Sequence, residues 1–136
     1  MNDNVNMTNT ATKIGNGRTK GDLKFRTKQF ALQIISFYSA LPKRREAQVI
    51  GDQLLRSGTS VGAHFREAQR AKSIRDFISK LEGALQELDE TAYWLELLEE
   101  ASLVSSDKVD LLKTEADELI AIFVTIVRKT KLQAKN

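Results

Sequence analysis

A chain of 136 residues and 15.3 kDa has room for one domain with a real core and not for two. Its 41% apolar and 29% charged residues are those of an ordinary globular protein, and the absence of cysteine excludes a disulfide framework or thiolate metal site and fits a reducing cytoplasm. The net charge of +3 hides an uneven spread: residues 1–72 carry 13 Lys/Arg against 5 Asp/Glu, residues 73–101 carry 2 against 8, and residues 102–136 carry 6 against 5, a field that can steer an acidic partner or be satisfied between helices or subunits.

Residues 1–22 are rich in Asn, Thr, Gly and Lys, with glycines at 15, 17 and 21 and no apolar signal-peptide core. They read as a disordered tail. Residues 23–132 follow as the folded domain, with 133–136 as a short C-terminal tail. The first helix is expected from Lys24 to Leu41, with Phe30, Ile34, Phe37 and Leu41 as its stripe and Ala31, Ile35 and Tyr38 widening it. Pro42 ends it, because the residue before proline is driven out of the helical region.

The second helix is expected from Arg44 to Ala71, on the spacing of Ala47, Ile50, Leu54, Val61, Phe65 and Ala68. Gly51, Gly58 and Gly62 each cost about 1 kcal/mol relative to Ala in a helix interior. With Leu55 they share one side, where another helix could approach closely. A break near Ser57-Gly58-Thr59-Ser60 is the alternative.

The third helix opens at Ser73, an N-cap hydroxyl with Asp76 three residues on. Phe77, Leu81, Ala84, Leu88, Thr91, Leu95 and Leu98 form its stripe. A second apolar set, Trp94, Leu97 and Ala101 beside Tyr93, exceeds what one bundle core needs and points to a subunit contact. The fourth helix is expected from Ser106 or Asp107 to Lys131, with Leu112, Ala116, Leu119, Phe123 and Ile126 inward, acids at its start and bases at its end. Short connections make successive helices antiparallel. No strand-period segment competes, and no apolar run approaches the roughly 18–20 residues that span a bilayer. The expected fold is all-α, an up-down-up-down four-helix bundle.

Catalytic groups are few. His64 is the single histidine, and a di-iron bundle needs a Glu-x-x-His motif from each of two helices. No metal, cofactor or small-molecule substrate is expected, and paired acids such as Asp89-Glu90 and Glu99-Glu100 read as a solvated face. Arg56, Ser57, Ser60, His64 and Glu67 form a polar set on the second helix, either a recognition surface or a hydrogen-bonded seam that fixes helix packing. In an antiparallel bundle Arg66, Arg70, Lys72 and Arg75 meet Lys24, Arg26, Lys28, Arg128, Lys129 and Lys131 at one end. Such a basic end can contact phosphates without any base-reading motif.

The run from Gln53 to His64 with Glu67, then Ser73 to Phe77, Lys80-Leu81 and Glu90 to Leu98, resembles the bacterial four-helix bundle proteins of the 23S ribosomal RNA intervening-sequence type. The similarity covers roughly residues 25–130. His64 stands where that family typically has Asn, and Ala68 replaces a frequent Gly. The resemblance implies a cytoplasmic homopentamer without enzymatic activity. It also implies kinship with the accessory variability proteins of diversity-generating retroelements, which bind nucleic acid and a reverse transcriptase. The expected function is a homo-oligomeric accessory protein that binds RNA or a ribonucleoprotein. The alternative is a structural or protein-interaction bundle.

Overall fold

The computed structural model describes residues 12–13, 16–17 and 20–135. Four helices carry the domain: α1 (Lys20–Ser39), α2 (Arg45–Gln69), α3 (Ile74–Glu100) and α4 (Ser106–Lys135). Before them β1 (Thr12–Lys13) and β2 (Asn16–Gly17) pair antiparallel, Thr12 opposite Gly17 and Lys13 opposite Asn16. No strand is expected from periodicity, so this short pairing is additional to the expected elements. The remainder of the tail expected over 1–22 lies outside the described residues, save that α1 already begins at Lys20. At the other end α4 continues to Lys135, so the tail expected at 133–136 is largely helical.

The central question on α2 is how a helix tolerates Ser57-Gly58-Thr59-Ser60 in its middle. It stays continuous because the hydroxyls bond back to the preceding turn: Thr59 donates to the Leu55 carbonyl at 2.7 Å and Ser60 to that of Arg56 at 2.7 Å, satisfying themselves without breaking the ladder. The glycines are used by α1. A Cβ on Gly58 would lie 2.8 and 2.9 Å from Ile34 Cγ1 and Cγ2, and one on Gly62 would lie 3.2 Å from Thr27 Oγ1. Ile34 and Thr27 are fully buried there, Thr27 returning its hydroxyl to the Leu23 carbonyl at 2.8 Å.

The pairing of side chains fixes the topology. Positions 27, 34 and 38 of α1 oppose 62, 58 and 51 of α2. Ser57 and His64 of α2 meet Thr91 and Glu87 of α3, and Glu96 and Glu82 of α3 meet Lys113 and Lys131 of α4. One position rises as the other falls in each pair, so successive helices run antiparallel in an up-down-up-down bundle. Phe30, Ile34, Leu54, Leu88, Leu119 and Phe123 are among the fully buried side chains of the core, and Phe65 of α2 stacks on Phe123 of α4 across it at 5.8 Å.

Helix α3 is closed at both ends by its own sequence. The Ser73 hydroxyl accepts from Asp76 N–H at 3.0 Å, while the Asp76 carboxylate accepts from Lys72 N–H at 3.2 Å, a capping box displaced by one residue. At the far end Ser102 takes a left-handed φ of 60°. Its N–H reaches Glu99 O and that of Leu103 reaches Leu98 O, both at 2.9 Å, a Schellman closure with serine in the usual glycine position.

Replacing Gly58 by alanine should lower stability, because the stiff, β-branched Ile34 cannot yield. We expect an overpacking cost of about 1–3 kcal/mol, only partly offset by the gain of about 1 kcal/mol in helix propensity. Thermal unfolding of Gly58→Ala against the parent protein measures this, and an unchanged or raised midpoint would contradict it.

Candidate functional site

The polar set of α2 meets partners on α3, and the result is a seam. Ser57 is fully buried and shares a 2.8 Å hydrogen bond with the equally buried Thr91, whose hydroxyl also lies 2.8 Å from the Glu87 carbonyl. Arg56 reaches across to Glu87 at 3.1 Å and to Glu90. The hydrogen bond it donates to Glu90, with the pull of Glu87, holds the Arg56 guanidinium proton even more firmly than usual. His64 sits between Glu67 and Glu87, 3.6 Å from each, and Lys80 lies 3.6 Å from Glu67. Among the described residues Ser60 bonds only its own helix.

Glu90 is therefore not part of a solvated face, as its neighbour Asp89 suggests from sequence: it is half-buried against Arg56. Glu87, Glu90 and Thr91 are the members of the seam that sequence reasoning missed. Their signal was spacing, since 87 and 90–91 fall on the flank of the α3 stripe. Among the described residues no three His, Asp or Glu groups converge as ligands for a metal, and no helix is long and apolar enough to cross a membrane.

The basic groups divide. Topology places the start of α1, the end of α2, the start of α3 and the end of α4 together. Arg66, Arg70, Lys72, Arg75, Arg128 and Lys129 are exposed there, and none of them enters an ion pair among the described residues. Lys131 is also exposed, but it pairs with Glu82 at 3.1 Å.

Arg26 departs from the expectation of a free cation. It forks onto Glu115, at 3.1 Å from Nε and 2.7 Å from Nη2, and reaches Glu118 at 3.1 Å. The Glu115 hydrogen bond raises its pKa further, against the opposing effect of burial. The reason is length: at 1.5 Å per residue the 30 residues of α4 extend about 45 Å against about 30 Å for α1, so Arg26 faces the middle of α4 and not its basic end. Lys28 is exposed on α1, two turns inside the helix, on its outward side.

Residues 22–125 match the family described as 23S rRNA-intervening sequence protein. The chain belongs to that family. It is also similar to a crystal structure of a protein of unknown function from the S23 ribosomal protein family of Bacteroides thetaiotaomicron, with 36% identity and a TM-score of 0.76 over 80% of this chain and 97% of that one. No curated protein matches the chain.

The second apolar set of α3 in this intervening-sequence protein is partly exposed. Trp94, expected on a free second face, is half-buried and packs against its own core, its ring tilted on Tyr93 at 5.0 Å. Its indole Nε1 is buried without an acceptor. Leu97 is half-buried, and Tyr93 and Ala101 are exposed. The larger free apolar set is on α1: Phe25 is 62%, Leu32 48% and Ile35 43% exposed. Ile35, assigned by spacing to the core face, belongs to this set because the glycine strip of α2 draws Ile34 inward and turns position 35 out.

The Ser57–Thr91 pair should behave as a unit. Thr91→Val leaves the buried Ser57 hydroxyl only its longer 3.3 Å bond to the Leu54 carbonyl, at about 1 kcal/mol, whereas adding Ser57→Ala removes both polar groups and recovers part of the loss. A double-mutant cycle by denaturant unfolding measures the coupling, and additive losses would contradict it.

Proposed function

We propose that this protein is a non-enzymatic, homo-oligomeric accessory protein that binds RNA through the basic end of its bundle. The observation that carries the reading is the group Arg66, Arg70, Lys72, Arg75, Arg128 and Lys129, exposed and without an ion pair among the described residues. Cations already held by carboxylates gain less from a phosphate than they give up in leaving their partners; unpaired ones neutralise phosphates and release the counterions condensed on the nucleic acid. The family's description links it to 23S rRNA, which makes structured RNA the ligand of choice. A ribonucleoprotein built around a reverse transcriptase would offer the same phosphate surface. With a single histidine, no cysteine and the polar seam occupied in packing two helices, the chain brings little for acid–base or nucleophilic chemistry. A pentamer in the cytoplasm, as the resemblance implies, would repeat the basic end five times in one particle.

A second reading, a protein-interaction bundle with no nucleic-acid role, draws on the exposed apolar residues of α1. Titration of labelled structured RNA at about 50 and about 200 mM salt separates the two, because phosphate contacts weaken steeply over that range. We expect binding at low salt that the pair Arg66→Glu and Arg70→Glu weakens by roughly tenfold or more and whose salt slope it flattens. Arg26→Gln, which removes a cation committed to Glu115, should leave affinity unchanged. Absence of binding at low salt would overturn the proposal in favour of the second reading.

A further inference from the structure

Helix α1 has two apolar sides, and the bundle uses only one. Leu23, Thr27, Phe30, Ile34 and Phe37 are buried. At 3.6 residues per turn their mean direction is opposite to that of Phe25, Lys28 and Leu32. Phe25 and Leu32 therefore point directly away from their own core, which is why they stay 62% and 48% exposed. Ile35 flanks them, and Lys24 and Lys28 on the same side are exposed and make no ion pair among the described residues. This outer face is apolar and positive.

Helix α3 carries the complement. Its buried stripe, Leu81, Leu88, Leu95 and Leu98, directs Asp89, Tyr93 and Glu100 outward. All three are exposed, Tyr93 at 53%, and neither acid enters an ion pair among the described residues. Because α2 packs on both α1 and α3 and α4 packs on α3, α1 and α3 lie diagonally across the bundle and their outer faces look in opposite directions.

We infer that the α1 face of one copy, built on Phe25 and Leu32, docks against the α3 face of a second copy, built on Tyr93. The inference rests on the homo-oligomer reading above and adds which surfaces meet. Charge selects the occupant: Lys24 and Lys28 meet Asp89 and Glu100, whereas pairing α1 with α1 sets lysines against lysines and pairing α3 with α3 sets acids against acids. Two different, opposed surfaces make a head-to-tail contact. Each added copy leaves one face of each kind free, so copies add in one direction, and they close into a ring only where the turn between successive copies brings the two ends together.

Charge reversal of the full chain tests this, with light scattering for mass and circular dichroism for helix content. Lys24→Glu with Lys28→Glu, and separately Asp89→Lys with Glu100→Lys, should each reduce the particle towards the 15.3 kDa of one chain with helix content intact, since none of the four side chains enters an ion pair among the described residues. Combining all four substitutions should restore the parental mass. A parental protein that is itself monomeric overturns the homo-oligomer reading and this inference with it. An oligomeric parent whose double variants keep their mass overturns the inference alone. So does dissociation by only one pair, or by both pairs without recovery in the fourfold variant, because then the two faces do not oppose each other.

Discussion

Helix α1 lies on a strip of α2 that has no side chains, and much of the molecule's surface follows from that contact. With hydrogen atoms at Gly58 and Gly62, the Ile34 and Thr27 side chains reach the α2 backbone, and the rotation of α1 about its axis is set by the fit. Once Ile34 is turned inward, the remaining directions are no longer free. Arg26 must face α4, where it finds Glu115 and Glu118, and Phe25 and Leu32 must face water. A helix packed on ordinary side chains would stand further off and could turn by tens of degrees. Here the close approach trades about 1 kcal/mol of helix propensity per glycine for a contact with a single solution.

The other side of α2 is built on the opposite principle. There, polar groups meet polar groups: Ser57 with Thr91, Arg56 with Glu87 and Glu90, and His64 between two carboxylates. Exposed ion pairs of this kind contribute little to stability, about 0–1 kcal/mol each. Their value lies in discrimination, since a one-turn slip of α3 along α2 would bury the Ser57 hydroxyl against hydrocarbon and part Arg56 from both its acids. Steric fit on one flank and hydrogen-bond pairing on the other together hold α2 as the reference helix of the bundle.

The fold was legible in the sequence because its signals are local. The 3.6-residue stripes, Pro42, the Ser73 cap and the lone proline in an Ala- and Leu-rich chain all act within a turn or two of themselves. The surfaces were less legible because they depend on which neighbour stands opposite. Nothing near Arg26 in sequence reveals Glu115, 89 residues away. Periodicity puts Ile34 in the stripe and Ile35 at its margin, and it takes the glycines of another helix to turn Ile35 out to solvent. Trp94 looked like a free apolar residue because its stripe is offset from that of Leu95, yet an indole is wide enough to reach the margin of the core from that offset. The position of the basic end was readable from topology alone; which of its cations are already neutralised was not.

The two neighbours of α1 hold it very unequally. Against α2 it is pressed along its length, while against α4 it makes far fewer close approaches and relies on the Arg26 fork to Glu115 and Glu118. This asymmetry sets an order of motion. Local opening of the native bundle is expected to part the α1–α4 edge first, while α2 keeps its more extensive contacts with both α1 and α3. Amide protons along the α4-facing side of α1 would then exchange with solvent through a smaller opening than those that look towards α2. High salt, by screening the Arg26 cluster, would widen that difference without touching the glycine contact.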